Sequence, residues 1–508
     1  MFHFKYPFLY LLGALVAGIL CEGKVFVPIY SLYLLLAAVS VCMLYKPLRH
    51  LTDLLLLGGF FLCGLHLTVV RPSLPVDNDS YCFQGECSEI LPHHHYILTQ
   101  GIHRFYLNHA YADTTFRPGD SLYFQTKLLS VDENSGYGRY LRQKGVDARL
   151  LPLSKVEQTG QSKSIRYYFP RLRQRLLDKN AALLQDSTAL SLVNALTLGF
   201  RIDLDDEVQQ LFVSTGTIHL LSVSGLHTGA IYLLLLFLLR QCGVKVGRQE
   251  LIALPFLWAY ACLTGLAPSV IRAATILTFM AVGKSCNQSY TPLNSIATSA
   301  FLTLLFRPEI LLSPSFLMSY SAYTGIVLFY PLLYRYPVYR RHTFFSRIYA
   351  CCCLTVSAQL LTIPISAFYF HSINLNGFLS NLTAVPFATV LLYTSTFFML
   401  LPVCIGSLAA PLIEEGCQWF IKMLQSFEPL MINLRDLYPT LVTTLIAYLI
   451  IGGLYAFAMR RSTRRLVIAG GAFCLLTAHL SFLHFSLSRQ QEVVVFHHPR
   501  QSVVLLNN

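Results

Sequence analysis

Residues 216–241, GTIHLLSVSGLHTGAIYLLLLFLLRQ, constrain the fold of this chain more than any other stretch. From Ala230 to Leu239 the run is apolar enough to sit in lipid. Ahead of it, His219, Ser222, Ser224, Gly225, His227, Thr228 and Gly229 interrupt the hydrocarbon character. A bilayer offers no water to backbone groups, so such irregularity survives only inside protein or along a water-filled cavity. Ionisable side chains at that depth face a bundle interior or a pathway. The segment is therefore expected to line whatever the protein conducts or transforms.

Composition agrees with a membrane setting. Of 508 residues, 54% are hydrophobic and only 12% charged, against about 25% charged in a soluble domain. The net charge of +13 reads first as topology, because Lys and Arg accumulate in cytoplasmic loops. It reads second as affinity for a polyanion. Most of the 14 cysteines lie in apolar runs such as Cys351, Cys352 and Cys353, where they act as small buried hydrophobes. No CxxC pair and no Cys/His grouping with zinc spacing occurs, so neither a metal nor a cofactor is expected.

Taken in order, 4–20, 25–45 and 51–70 each approach the ~20 apolar residues that span a bilayer, giving three transmembrane helices in 1–70. The basic loop at 46–50, KPLRH, places itself and the N-terminus in the cytoplasm, and sends the residues after 70 outside. Residues 71–163 then change character, with short runs of alternating polarity and an RPGD turn at 117–120. Five such strands in under a hundred residues suit a small OB-like barrel, whose open face commonly takes single strands. Arg104, Tyr106, Tyr137, Arg139, Tyr140, Arg142 and Lys144 interleave rings and cations. Bases stack on rings while cations follow phosphates; the same residues serve equally well as barrel core and solvated surface. Cys82 and Cys87 fall in this segment, where a disulfide is chemically allowed.

Residues 164–215 open with a basic amphipathic helix suited to a membrane surface. Asp203, Asp205, Asp206 and Glu207 then mark a helix N-terminus, which carboxylates complement. Residues 216–486 are polytopic, with further spans near 251–266, 270–283, 293–306, 316–333, 348–370, 378–404, 437–459 and 466–485. The arginine-rich loops at 334–347 and 460–465 should both be cytoplasmic. That parity requires 407–424 to cross, or 378–404 to break. Glu414, Glu415 and Lys422 make 407–424 amphipathic, and so re-entrant or interfacial. Residues 487–508 are strand-like and read as the opening of a further domain.

Three places could carry chemistry. Ser224 and His227, three residues apart, share a helix face and would permit a hydrolytic Ser–His pair, although no third member or oxyanion donor is placed by sequence. Alternatively Ser224 and Gly225 allow close helix packing with His227 hydrogen-bonded inside. Pro268 precedes a span and Arg272 stands one turn into it, as a pathway charge or as a side chain snorkelling to the interface. Gln359, Pro364, His371, Asn374, Asn376, Asn381 and Pro386 interrupt another apolar region. Such amides bond between helices, and recurring broken helices form transport sites near the midplane.

ALTLGFRIDL, FVSTGTIHLLSVSGLHTGAI, TGLAPSVIRA, SPSFLMSYSAYTGIV and AQLLTIPISAFYFHSINLNGFLSNLTAVP occur in that order. With them the chain resembles the ComEC-type competence channel family, which moves single-stranded DNA across the cytoplasmic membrane during natural transformation. YGRYLRQKGVDA is similar to the end of that family's N-terminal soluble domain. The resemblance implies a polytopic α-helical inner-membrane protein with a small all-β (OB-like) exocytoplasmic domain inserted after three N-terminal transmembrane helices. It implies single-stranded DNA as cargo, a DNA receptor outside, and a separate cytoplasmic motor, since no P-loop is present. The pathway would include His219, Ser222, Ser224, Gly225, His227, Pro268, Arg272, Gln359 and Asn381. Many members add a metallo-β-lactamase-like domain bearing HxHxDH; that motif does not occur here, so nuclease activity is not expected of this chain. The rival readings are an intramembrane serine hydrolase using Ser224 and His227, and a carrier for a small anionic solute.

Overall fold

The computed structural model describes residues 6–21, 52–67, 80–91, 95–108, 110, 115–132, 136–201, 204–245, 247–285, 291–335, 343–434 and 436–460, with short runs beyond. The expected span at 25–45, the loop at 46–50, Asp203, the 461–465 arginines and most of 466–485 lie outside the described residues. The chain forms two compact units, Met1–Tyr320 with Asn374–Ile432, and Ser321–Ile373 with Asn433–Asn508.

The first unit opens with helices α1 (Pro7–Leu20) and α2 (Thr52–Leu67), packed on each other. Gly18 and Gly64 make this contact. A Cβ on Gly18 would lie well inside 3.0 Å of the Phe61 carbonyl oxygen, and one on Gly64 would meet that of Leu15. In lipid there is little hydrophobic drive between helices, so backbone approach through small residues is what joins them.

Next comes the barrel: β1 (Tyr81–Ile90), β2 (Tyr96–Gln100), β3 (His103–Leu107), β4 (Asp120–Leu129), helix α3 (Gly136–Gln143), β5 (Ala148–Pro152) and β6 (Glu157–Gln161). Strand β1 pairs antiparallel with both β2 and β4, β3 pairs antiparallel with β2, and β5 with β4. The parallel pairing of β3 with β5, Phe105 opposite Ala148, closes the ring. This is the expected five-stranded OB-like barrel, with β6 added beside β4. Side chains alternate across each strand, so Leu122, Phe124, Thr126 and Leu128 of β4 point inward to Phe83, Leu98, Phe105 and Leu150. The RPGD turn forms as read: Gly119 takes φ +90, and the Asp120 carboxylate accepts from the Arg117 amide at 2.8 Å.

Two expectations fail in the barrel. Cys82 and Cys87 are both free, one exposed and the other buried. They stand five residues apart on one strand, on opposite faces, which at ~3.3 Å per residue is beyond the ~7 Å limit for bridged Cα atoms. Burial, then the Asp120 charge, pushes the Cys87 thiol up. Maleimide is therefore expected to label Cys82 and spare Cys87 in the folded protein; equal labelling would contradict this placement. Tyr106 is the second correction. It is 4% exposed and packs with Leu91, Ile97, Val131, Leu141 and Val146, because this side of β3 is covered by the β4–β5 connection carrying α3.

Helix α4 (Tyr168–Leu183) is the expected basic amphipathic helix, but its cations serve the protein. Arg171 donates to the carbonyls of Pro118 and Ser162 in the barrel. The Arg173 guanidinium lies 5.4 Å from the Phe200 ring centroid. Then come α5 (Ser187–Leu198), α6 (Asp206–Ser214), α7 (Gly225–Gln241), α8 (Arg248–Leu263), α9 (Pro268–Ser285), α10 (Pro292–Phe306), α11 (Pro314–Leu333), α12 (Thr343–Phe370), α13 (Gly377–Leu400), α14 (Val403–Phe427) and α15 (Leu441–Arg460). Lys179 of α4 donates to the Met399 and Leu401 carbonyls at the end of α13. Asp205 precedes α6, with Asp206 and Glu207 in its first turn, as read.

Among the described residues, Pro314–Leu333, Phe345–Phe370, Gly377–Leu400 and Leu441–Met459 are long and apolar enough to cross a membrane. Shorter apolar helices include Pro7–Leu20, Ser187–Leu198, Gly225–Gln241 and Pro292–Phe306. The chain is a polytopic helical membrane protein. Helix α5 is buried all round, and its core of Leu192, Val193 and Leu196 is completed by Ala384, Ala388, Ile413 and Phe420 from α13 and α14. Helix α13 runs unbroken from Gly377 to Leu400 as a single span, and Pro402 caps α14 two residues on. Gly406, Ala410, Ile413, Cys417, Phe420 and Leu424 form one buried stripe of α14 at helical spacing, so 407–424 takes the amphipathic form. In the second unit, a Cβ on Gly325 would meet the Ser357 carbonyl well inside 3.0 Å, and Tyr448 donates to the Leu361 carbonyl at 2.7 Å.

Candidate functional site

The helical character of α6 stops at Ser214 because Gly216 takes φ +71. A short 3-10 turn, Ile218–Leu220, comes next, and the chain re-enters a helix only at Gly225. Ser224 caps that helix. Its Oγ accepts from the Leu226 amide at 3.2 Å and the His227 amide at 3.4 Å, while its own amide donates to His227 Nδ1 at 3.1 Å. The arrangement is a capping box with histidine at the third helical position. Because Nδ1 accepts an amide proton, the His227 ring proton sits on Nε2. The Ser224 hydroxyl, 2.9 Å from Nδ1, donates into the same nitrogen.

The other motifs meet at this break. From α9, Ser269 Oγ donates to the Val223 carbonyl at 2.7 Å. Arg272, one turn further, is 8% exposed; it does not snorkel. A Cβ on Gly225 would lie 3.0 Å from Arg272 Nη2, so the glycine gives the guanidinium its place at the start of α7. The guanidinium also lies 5.4 Å from the ring centroid of Tyr320 in α11. The Tyr320 hydroxyl is 3.1 Å from Ser299 Oγ and 3.3 Å from Thr303 Oγ1 of α10. On the other side, Asn374 Nδ2 donates to the Ser214 carbonyl at 2.8 Å, and Ser380 Oγ to that of Thr215 at 2.6 Å. The interrupted region at Asn374–Ser380 thus closes on the carbonyls at the end of α6, as backbone at membrane depth requires.

Of the sequence candidates, Ser222, Ser224, Gly225, His227, Pro268 and Arg272 come together here. His219 is exposed beside them, its carbonyl accepting from Ser222 Oγ at 3.1 Å. Asn381 is buried on α13 with Oδ1 unpartnered. Gln359 belongs to α12 in the second unit. Sequence reasoning missed Ser269, Ser299, Tyr320 and Ser380, whose hydroxyls read as ordinary helix positions. Among the described residues no cluster of three or more His, Cys, Asp or Glu could hold a metal.

On the barrel, the candidates divide. Glu89 takes the ammonium of Lys144 and, at 3.3 Å, the guanidinium of Arg104, so both cations are committed inside the domain. Burial raises the Glu89 carboxyl, but Lys144, Arg104 and Arg173 outweigh it and hold the group below its ordinary value. Tyr137 is 46% exposed on α3, with its ring edge-on to Tyr106 at 5.9 Å. Arg142 is exposed on the same helix, donating to the Val146 and Asp147 carbonyls at 3.5 and 3.4 Å. Arg139 and Tyr140 also belong to α3, with side chains outside the described set. Helix α3 sits in the β4–β5 connection, packed by Leu141 against Leu91 of the β1–β2 connection. These two connections frame the oligonucleotide-binding end of OB barrels.

A family model described as "Competence protein" matches residues 196–462, which include every element of the helix break. Over 357 residues the chain is 26% identical to ComE operon protein 3 of Bacillus subtilis (strain 168), covering 67% of this chain and 43% of that protein. It is 27% identical over 230 residues to Recombination protein 2 of Haemophilus influenzae, covering 41% and 28%. It is 26% identical over 257 residues to the Escherichia coli protein YcaI, covering 49% and 33%. The matched segments span less than half the length of each relative. No solved structure matches the chain. With more than half of its length matched, this chain belongs to the competence protein family.

Proposed function

We propose that the protein takes up DNA during natural transformation, conducting a single strand through the cytoplasmic membrane. In this reading the N-terminus is cytoplasmic and the barrel is exocytoplasmic, receiving DNA from a separate receptor. A separate cytoplasmic motor supplies the energy. The observation that carries the reading is the buried Arg272 at the α7 N-terminus, inside a bundle of apolar helices. Guanidinium and helix dipole add there to a positive potential that suits passing phosphates. Gly225, Ser222, Ser224 and His227 shape the path, and α3, with Tyr137 and Arg142 exposed on it, forms the receiving surface.

The test is binding of the full-length protein in detergent to labelled single-stranded DNA across a salt series. Tyr137→Ala should weaken binding by about 1–3 kcal/mol, one lost base stack. Arg142→Ala should flatten the salt slope by about 0.7, one lost phosphate contact. Binding unaffected by either change would remove α3 from the receiving surface.

The hydrolase rival has one observation in its favour, the 2.9 Å approach of Ser224 Oγ to His227 Nδ1. Against it, the same Oγ accepts two amides as a helix cap. A fluorophosphonate probe is therefore expected to leave Ser224 unlabelled; labelling abolished by Ser224→Ala would revive the rival.

A further inference from the structure

Helix α4 joins the barrel to the helical bundle. Near its start Arg171 holds the barrel carbonyls of Pro118 and Ser162, and near its end Lys179 holds those of Met399 and Leu401. Eight helical residues, about 12 Å, separate the two anchors, and Arg173 lies between them. Its guanidinium lies over the Phe200 ring, 5.4 Å from the centroid, just past Gly199, which ends α5 with φ +66. A Cβ on Gly265, in the α8–α9 turn, would stand 3.4 Å from Arg173 Nη1. The same place adjoins the helix break. A Cβ on Gly199 would lie 3.0 Å from Val223 Cγ2 and 3.9 Å from the Thr264 carbonyl oxygen, so the ends of α5 and α8 meet the residue before Ser224.

Positive charge is in excess here. Glu89 of β1 is within electrostatic reach of Arg173, but Lys144 and Arg104 already take its two oxygens. Among the described residues three cations thus share this carboxylate, leaving two positive charges uncompensated. Joining barrel to bundle does not require the third cation, because Arg171 makes that joint through hydrogen bonds. Packing does not require it either, since an apolar side chain would cover Phe200 as well. A half-buried guanidinium held away from any carboxylate oxygen costs free energy, and an arriving anion would offset that cost. Lying over a ring, the guanidinium keeps its N–H edge for phosphate oxygens.

We infer that Arg173 hands strand phosphates from the barrel to the helix break, between the α3 surface and Arg272. The inference rests on the proposed uptake of a single strand and adds the contact that links its two sites. A lipid phosphate shares this chemistry, but the barrel, the end of α5 and the α8–α9 turn around the guanidinium favour the strand.

The test titrates full-length protein in detergent with oligothymidylates of about 8 and about 24 nucleotides across a salt series; an OB fold covers the first alone, and the second overhangs it. Arg173→Gln should flatten the salt slope by about 0.7 for the long strand, one phosphate contact, and leave the short-strand slope unchanged. Arg173→Lys keeps the charge and should keep both slopes. An unchanged long-strand slope in Arg173→Gln would overturn the inference, and is the result expected if the guanidinium serves a lipid phosphate. An equal loss with both strands would also overturn it, as would a loss shared by Arg173→Lys, which loosened packing alone would produce. Failure of the uptake reading looks different: wild type then binds neither strand, and the inference falls with it. Failure of the inference alone leaves wild-type binding intact, with Arg142→Ala still flattening the slope.

Discussion

Leucine at Gly18 is expected to deplete the protein from the membrane, whereas leucine at Gly13 leaves its level unchanged. Both glycines stand on α1, and the two substitutions add the same apolar bulk to the same helix. Their surroundings differ: nothing lies within 4 Å of a Cβ at Gly13, while one at Gly18 runs into the Phe61 backbone of α2. A side-chain neighbour could rotate away, but a helix backbone cannot, so the pair must separate. The cost should exceed the ~1–3 kcal/mol of ordinary overpacking. Separation also disturbs α10, because Phe8 of α1 and Phe60 of α2 both pack edge-on against Phe301. Quantitative blotting of membranes and thermal unfolding in detergent read the effect. Normal level and Tm in Gly18→Leu would refute close backbone packing as the basis of the contact.

Arg272→Met should reverse that pattern, keeping the protein and losing the activity. Methionine approximates the arginine stem in volume and can lie on Tyr320. Replacing a buried charge by a packed apolar residue is often neutral or stabilising. If phosphates pass the guanidinium, its removal forfeits a charge-assisted contact of ~1.5–3 kcal/mol, about tenfold or more in transformation frequency. Arg272→Lys keeps the charge but not the planar fork that lies over the ring, so it should fall between the two. Transformation at wild-type frequency in Arg272→Met, with normal membrane levels, would retire Arg272 from the path.

How far the sequence foretold these features depends on the range over which each is determined. The RPGD turn, the acidic start of α6 and the buried stripe of α14 depend on neighbouring residues, and they form as read. The barrel was legible as five strands because alternation is local. Its closure through β3 and β5 was not, since parallel pairing joins Phe105 to Ala148 across more than forty residues. Pairing between strands and connections also hid the fate of Arg104 and Lys144, which lie 15 and 55 residues from the Glu89 that claims them. Tyr106 illustrates the limit: alternation shows that a residue faces one side, not what covers that side. At the helix break, Ser224, Gly225 and His227 stood out as polar groups in an apolar run. The hydroxyls of Ser269 and Tyr320 that complete the arrangement carried no such contrast.

The interleaving of the first unit also sets a timetable for synthesis. The core around α5 and α6 is finished only by α13 and α14, and Leu221 is separated from Leu424 by about two hundred residues. At ~5–20 residues per second, the growing chain waits roughly 10–40 s between exposing the first half of that core and supplying the second. Through that interval Leu192, Phe212 and Leu220 lack their native cover, so they depend on lipid, ribosome or a holding factor to keep them from a neighbour. The protein is thus most exposed to mispairing while it is still being made.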